Sequence, residues 1–175
     1  MRKSDELENA AIIDCSQLMA AAARTAPKTR GIDNIVVCVI DDGKDIKNIA
    51  RVMREIAVRE SRPSMERDAG TIENLSMLFL LGVKNNPAGL NCGFCGCKTC
   101  EELASKHGIC SFNSIDLGIA LCSAVAAANQ FHIDNRIMYS IGKAALETGV
   151  FSKEVTQILG VPLSVSGKSP FFDRK

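Results

Sequence analysis

The 175-residue sequence predicts an α/β (α+β) three-layer sandwich, a small sheet covered on both faces by helices, with a cysteine-rich loop inserted in it. Three observations predict it. Stretches with apolar residues at helical spacing alternate along the chain with short apolar runs, several of them β-branched. Ala, Ile, Leu, Val and Gly are plentiful while Trp is absent and Tyr occurs once, a composition suited to helices packed closely on a sheet. No internal repeat, low-complexity segment or long linker divides residues 1–175, which are expected to form one domain hiding roughly 70% of its unfolded surface.

The first helix is expected from about Asp5 to Arg24. Ser4 is its candidate N-cap, Asp5 and Glu6 complement the helix dipole, Leu7, Ala11, Cys15, Leu18 and Ala22 recur at helical spacing, and Pro27 lies beyond its end. Asn34 to Ile40 is an unbroken β-branched run closed by Asp41-Asp42-Gly43, which reads as a strand buried on both faces. From Lys44 to Arg59, Ile46, Ile49, Ala50, Met53, Ile56 and Ala57 mark one face of a second helix. A shorter helical piece around Met65 to Asp68 leads to the second strand, Leu75 to Val83. Residues 84–91 form the loop that delivers the cysteines, and a short helix is expected over 98–107 with Gly108 just past its end. Ser114 caps the next helix, whose Gly118, Ala126 and Ala127 imply close approach to a neighbour and a central, buried position. Beyond it the pattern predicts a strand at 136–141, a brief helix at 142–148, a helix at 153–159 capped by Ser152, a last strand at 161–166 and a basic tail at 167–175.

The net charge of +1 is spread over intermixed acids and bases, so no basic face is expected to recruit nucleic acid. Met1-Arg2-Lys3 is followed by Ser4-Asp5-Glu6 and not by an apolar segment, and no apolar run approaches the ~20 residues that span a bilayer. The expectation is a cytoplasmic, soluble protein without a membrane partner.

Five of the eight cysteines fall between Cys92 and Cys110, in the run Cys92-Gly93-Phe94-Cys95-Gly96-Cys97-Lys98-Thr99-Cys100 and then Cys110. Thiolates spaced as Cys92, Cys95, Cys100 and Cys110 are can converge on one inorganic centre, because Gly93 and Gly96 let the backbone turn tightly. Such a sulfur site suits an iron–sulfur cluster or zinc. A disulfide framework fits poorly with an intracellular chain. Cys15, Cys38 and Cys122 lie on apolar faces and read as core.

The segment from Cys92 through Ala104 resembles the small four-iron–four-sulfur domain with the pattern C-G-x-C-G-x-x-x-C-x-x-x-A. With Asn91, Asp116 to Ala120, Asp134 to Gly142, Pro162 to Lys168 and Phe172 to Arg174, nearly the whole chain resembles a prokaryotic family described as containing a ferredoxin domain. The resemblance implies a nitroreductase-like fold and a [4Fe-4S] cluster held by Cys92, Cys95 and Cys100, with Cys110 assigned fourth and Cys97 or Cys122 as competitors for that place. It implies electron transfer with an unidentified redox partner, in a carrier or a flavin-dependent reductase. A structural zinc or interaction module is the alternative.

Ala23 to Pro27 is similar to a flavin loop of the nitroreductases, so FMN is a further cofactor to consider. Arg24, Lys168 and Arg174 would be its phosphate contacts. Lys28-Thr29-Arg30 departs from that family's pattern, and a solvated basic terminus is the competing reading of the two C-terminal cations. The helix from Asp116 to Ala128 resembles the family's dimer helix, which implies a homodimer. Gly167-Lys168-Ser169 is not the end of a phosphate loop, since Pro162 stands where its leading glycine belongs. His107 and His132 are read as structural, and no catalytic residue can be assigned.

Overall fold

The computed structural model describes residues 1–172. Helix α1 (Ser4–Thr25) is followed by a single 3-10 turn (Thr29–Gly31) and strand β1 (Ile35–Ile40). Helices α2 (Gly43–Arg59) and α3 (Pro63–Ile72) lead to β2 (Met77–Lys84). After the cysteine loop come α4 (Cys100–Ser105), α5 (Ser111–Gln130), β3 (Asp134–Asn135), α6 (Tyr139–Thr148) and β4 (Val155–Ser164).

The sheet has the order β1-β2-β4-β3 with every pairing antiparallel. Its alternating side chains feed two cores, as strand geometry requires. Leu78 and Leu80 of β2 join α2, α3 and α6 on one face. Phe79, Leu81 and Val83 join α1 and α5 on the other. The expected three-layer sandwich is therefore present, and β2, paired on both edges, is buried over Met77 to Val83.

The N-terminal half follows the sequence pattern closely, with Lys3 and not Ser4 in the N-cap position of α1. The C-terminal half departs from it. The strand expected at 136–141 is reduced to Asp134–Asn135 and one bridge between Met138 and Gly160, because Tyr139 already opens α6. The helix expected at 153–159 is the first half of β4, where Val155, Gln157, Ile158 and Leu159 pair with Lys84, Val83, Gly82 and Leu81. Ser152 thus ends a turn, its carbonyl accepting from the Val155 N–H at 3.0 Å. Helix α5 begins at Ser111, so Ser114 lies inside it and its hydroxyl bonds the Gln157 side chain at 2.7 Å.

The composition reading also needs one correction. Helix α5 is long and apolar enough to cross a membrane by length and composition. Here it is a core helix, with Leu117, Ala120, Leu121, Ala124 and Ala128 buried against α1 and the sheet.

Gly142 and Gly160 let α6 lie against β4 at backbone contact. A Cβ on Gly142 would stand 1.7 Å from the Ile158 carbonyl oxygen, and one on Gly160 would stand 2.5 Å from Cβ of Ile141. No larger residue fits either place without moving the helix off the strand.

Candidate metal centre

The cysteine loop leaves the sheet at the end of β2 and returns as the first turn of α5. Its anchors are asparagines. The Asn85 side chain donates to the Gly108 carbonyl at 2.9 Å and accepts from the Cys110 N–H at 3.4 Å. The buried Asn113 accepts from the Asn86 N–H at 3.0 Å, and Asn91 accepts from the Cys100 N–H at 2.8 Å. These bonds join the two ends of the loop and fix where Cys100 and Cys110 start.

Between the anchors the chain turns back on itself. Gly93 and Gly96 have φ of +77° and +81°, conformations that residues with a Cβ rarely adopt, and the Gly96 N–H bonds the Gly93 carbonyl at 2.9 Å. Thr99 then caps α4 by accepting from the Glu102 N–H, while Glu102 reaches back to the Lys98 N–H at 2.7 Å, a variant of the capping box. α4 is shorter than the sequence implied and ends in a Schellman motif. The Gly108 N–H bonds the Leu103 carbonyl, and His107, at φ +52°, takes the left-handed position expected of Gly108.

The result is one small recess lined by Cys92, Cys95, Cys97, Cys100 and Cys110 together with Leu103. No His, Asp or Glu side chain lines it, and beside the neutral Asn91, Thr99 and Ser111 its five thiols are the donors that suit an iron–sulfur cluster or zinc. Cys110 is the deepest of the five, at 5% exposure, and stands at the N-cap of α5, whose N-terminal amides give the recess a partial positive charge. Phe94 stacks on Phe112 of α5 with ring centroids 5.5 Å apart, tying the loop's tip to the helix. Partial desolvation, then the Glu102 carboxylate, push the Cys97 thiol above its ordinary range.

The residues fit such a centre in the chemistry of their side chains, five thiols lining one recess. Among the described residues no three His, Cys, Asp or Glu side chains close to direct metal-ligand geometry. All eight cysteines are free thiols.

Cys97 and Cys110 both line the recess, whereas Cys122 lies twelve residues along α5 from Cys110, roughly 18 Å away, and faces outward. Cys122 was also expected in the core and is exposed. Cys15 is buried and Cys38 half-buried.

Of the phosphate contacts considered for FMN, Arg24 and the segment of Lys168 lie toward opposite ends of α1. Arg24, near the end of α1, pairs with Asp33 and donates to the Ile35 carbonyl at 3.1 Å. Burial pushes the Asp33 carboxyl up, but the Arg24 guanidinium and the Ile35 N–H outweigh it and hold the group below its usual range. Lys168 belongs to the segment that shares a cleft with Asp5, Glu8 and Asn9 at the other end of α1, a helix roughly 33 Å long. Arg174 lies outside the described residues. Lys28, in the departing stretch, donates to the Ala23 carbonyl at 2.8 Å.

The sequence reading missed Asn85, Asn113 and Asp116. Asp116 is 3% exposed on α5 and accepts from the Thr29 N–H and hydroxyl, at 3.1 and 2.9 Å. Arg30 of the same turn donates to the Ala88 carbonyl at 2.8 Å, so the 3-10 turn is fastened to the cysteine loop on one side and to α5 on the other. The only available signal was the asparagine at 85, 86 and 91 on the approach to Cys92.

A family model described as "Uncharacterized protein containing a ferredoxin domain (DUF2148)" matches residues 106–174, beyond the first four loop cysteines. A protein of Archaeoglobus fulgidus, described as uncharacterized, is 39% identical over 178 residues, covering 97% of this chain and 95% of its own. The chain belongs to this family.

Solved structures place the family's fold. A nitroreductase with bound FMN from Desulfitobacterium hafniense aligns with a TM-score of 0.63 at 15% identity, over 97% of this chain and 81% of its own. The hypothetical oxidoreductase YcnD of Bacillus subtilis aligns at 0.59 and 17% identity over 89% of this chain, which spans 58% of that protein. A BluB-like flavoprotein from Clostridium difficile aligns at 0.57 and 20% identity, over 89% of this chain and 82% of its own. The DUF2148 chain therefore has a nitroreductase-like fold.

Proposed function

We propose that this protein is a cytoplasmic iron–sulfur redox protein whose Cys92, Cys95, Cys100 and Cys110 hold one [4Fe-4S] cluster and which passes electrons to a partner protein or cofactor. One observation carries the reading: five thiols, and no histidine or carboxylate, line a single recess at the junction of loop and central helix. When bound, such a cluster supplies one-electron transfer at a potential tuned by hydrogen bonds and solvent exposure.

The chain's own groups set those terms. The N-terminus of α5 offsets negative charge at the recess. The Phe94–Phe112 stack ties the tip of the cysteine loop to α5. Asn85 and Asn91 hold Cys110 and Cys100 in place, the outer-shell role that fixes ligand geometry. The family's ferredoxin-domain description supports a redox role. FMN is supported by the fold's flavin-binding relatives, while the separation of Arg24 from Lys168 speaks against a phosphate site built from those two side chains in one chain.

Anaerobic preparation of Cys95→Ser tests the cluster ligand directly. Iron and acid-labile sulfide per chain are expected to fall on the order of 10-fold or more, and iron held at the wild-type level would remove Cys95 from the ligand set.

The homodimer belongs to the same proposal. Ile115 and Ile119 of α5 are 43% and 39% exposed, and Cys122 is exposed on the same helix, so α5 presents apolar side chains outward as well as inward. A second copy packing there would cover them. Light scattering is expected to give twice the chain mass for the wild type and the chain mass for Ile119→Asp. A wild-type monomer at micromolar concentration would exclude the dimer.

A further inference from the structure

The ligand assignment leaves one thiol of the recess over. Cys97 lines the same small volume as Cys95 and is, like it, half-buried. The two are separated by Gly96 alone, whose φ of +81° turns the chain back so that both side chains face the recess. Neither is in a disulfide.

From this juxtaposition we propose that Cys95 and Cys97 are a redox-active dithiol that closes to a disulfide when the loop is metal-free, so that Cys97 competes with the metal for Cys95. This rests on the proposed function only in taking Cys95 as a ligand. A low-molecular-weight disulfide is the oxidant. One thiol of the pair loses its proton and attacks that disulfide, forming a mixed disulfide and expelling one small thiolate. The other thiol, also deprotonated, displaces the second small thiolate as the Cys95–Cys97 bond forms. Each small thiolate takes up one proton, so two protein thiols become one disulfide and one small disulfide becomes two small thiols.

With one glycine between the two thiols, the pair closes the shortest loop of any combination here, and the second step is intramolecular. Its consequence is that loading requires reduction. An oxidised loop keeps Cys92, Cys100 and Cys110 but has lost Cys95 as a ligand, since only a thiolate binds. Removing Cys97 takes away the local partner and leaves Cys95 available.

The test uses metal-free full-length protein, reduced under nitrogen, exposed to oxidised glutathione, alkylated and mapped by peptide mass. The expected product is an intra-loop peptide lacking two hydrogens with Cys95 and Cys97 unalkylated, absent from Cys97→Ser. Mapping that finds Cys95 alkylated, or joined mainly to Cys92 or Cys100, overturns the proposal. In a second arm, oxidised wild type is expected to take up on the order of 10-fold less iron than oxidised Cys97→Ser, with the difference erased by prior reduction. Equal uptake by the two oxidised proteins also overturns it. Disulfide mapping reads the thiols without metal, so a Cys95–Cys97 bond in a protein that takes up no iron would sink the cluster and leave the dithiol standing.

Discussion

Cys110→Ser is expected to lose the iron–sulfur centre without losing the fold. Cys110 occupies the N-cap of α5 and makes no side-chain capping bond there, whereas serine is a preferred residue at that position. The hydroxyl oxygen can accept from an amide of the helix's first turn, so unfolding stability should be unchanged or raised by up to ~1 kcal/mol. Iron and sulfide should fall on the order of 10-fold or more, because a ligand whose backbone is already fixed by Asn85 has gone. Cys97→Ser should keep its iron. Anaerobic metal and sulfide assays on both variants, beside thermal unfolding, check the pair. Iron lost from Cys97→Ser and retained in Cys110→Ser would exchange their roles.

Gly142→Ala is expected to be the most damaging single methyl in the chain. Its Cβ would stand 1.7 Å from the Ile158 carbonyl oxygen and 2.4 Å from the carbonyl carbon, both backbone atoms of β4 that cannot rotate away. Relief means lifting α6 from the strand, which opens the core that Ile141, Ala144 and Ala145 share with α2 and α3. The cost should be on the order of 3 kcal/mol or more, and Tm should drop by roughly 10 °C. Gly70→Ala in α3 is the control. Nothing lies within 4 Å of its Cβ, and alanine restricts the unfolded chain more than glycine, so it should be neutral or stabilising by up to ~1 kcal/mol. Thermal unfolding of the two alanine variants measures the contrast, and equal melting would mean α6 does not sit as described.

The same contact explains where the sequence misled. Val155, Gln157, Ile158 and Leu159 could belong to a helix or a strand on local pattern, and only the pairing with β2 decides for the strand. Likewise Tyr139 to Thr148 is helical because Gly142 and Gly160 permit the close crossing, information carried by two residues 18 positions apart. By contrast α1, α2, β1 and β2 were legible because each is long or strongly patterned enough for its own period to identify it.

The candidate site divides in the same way. Its five sulfurs were visible as a cluster in the sequence, since proximity along the chain nearly guarantees proximity in space for Cys92 to Cys100. What holds them was not. Asn85 acts on Cys110 across 25 positions, Asn113 on Asn86 across 27, and Asp116 on Thr29 across 87. A polar residue that bonds at such range has no local signature. Two of the three candidate phosphate contacts, Arg24 and Lys168, are set apart in one chain by the length of α1, a separation that local pattern does not reveal.

The most direct test of the central claim is the composition of wild-type protein purified without oxygen, by iron, acid-labile sulfide and zinc assays with an absorbance spectrum. The account predicts a brown protein carrying about four iron and about four sulfide per chain, without stoichiometric zinc. A colourless protein carrying about one zinc per chain and no sulfide would contradict it.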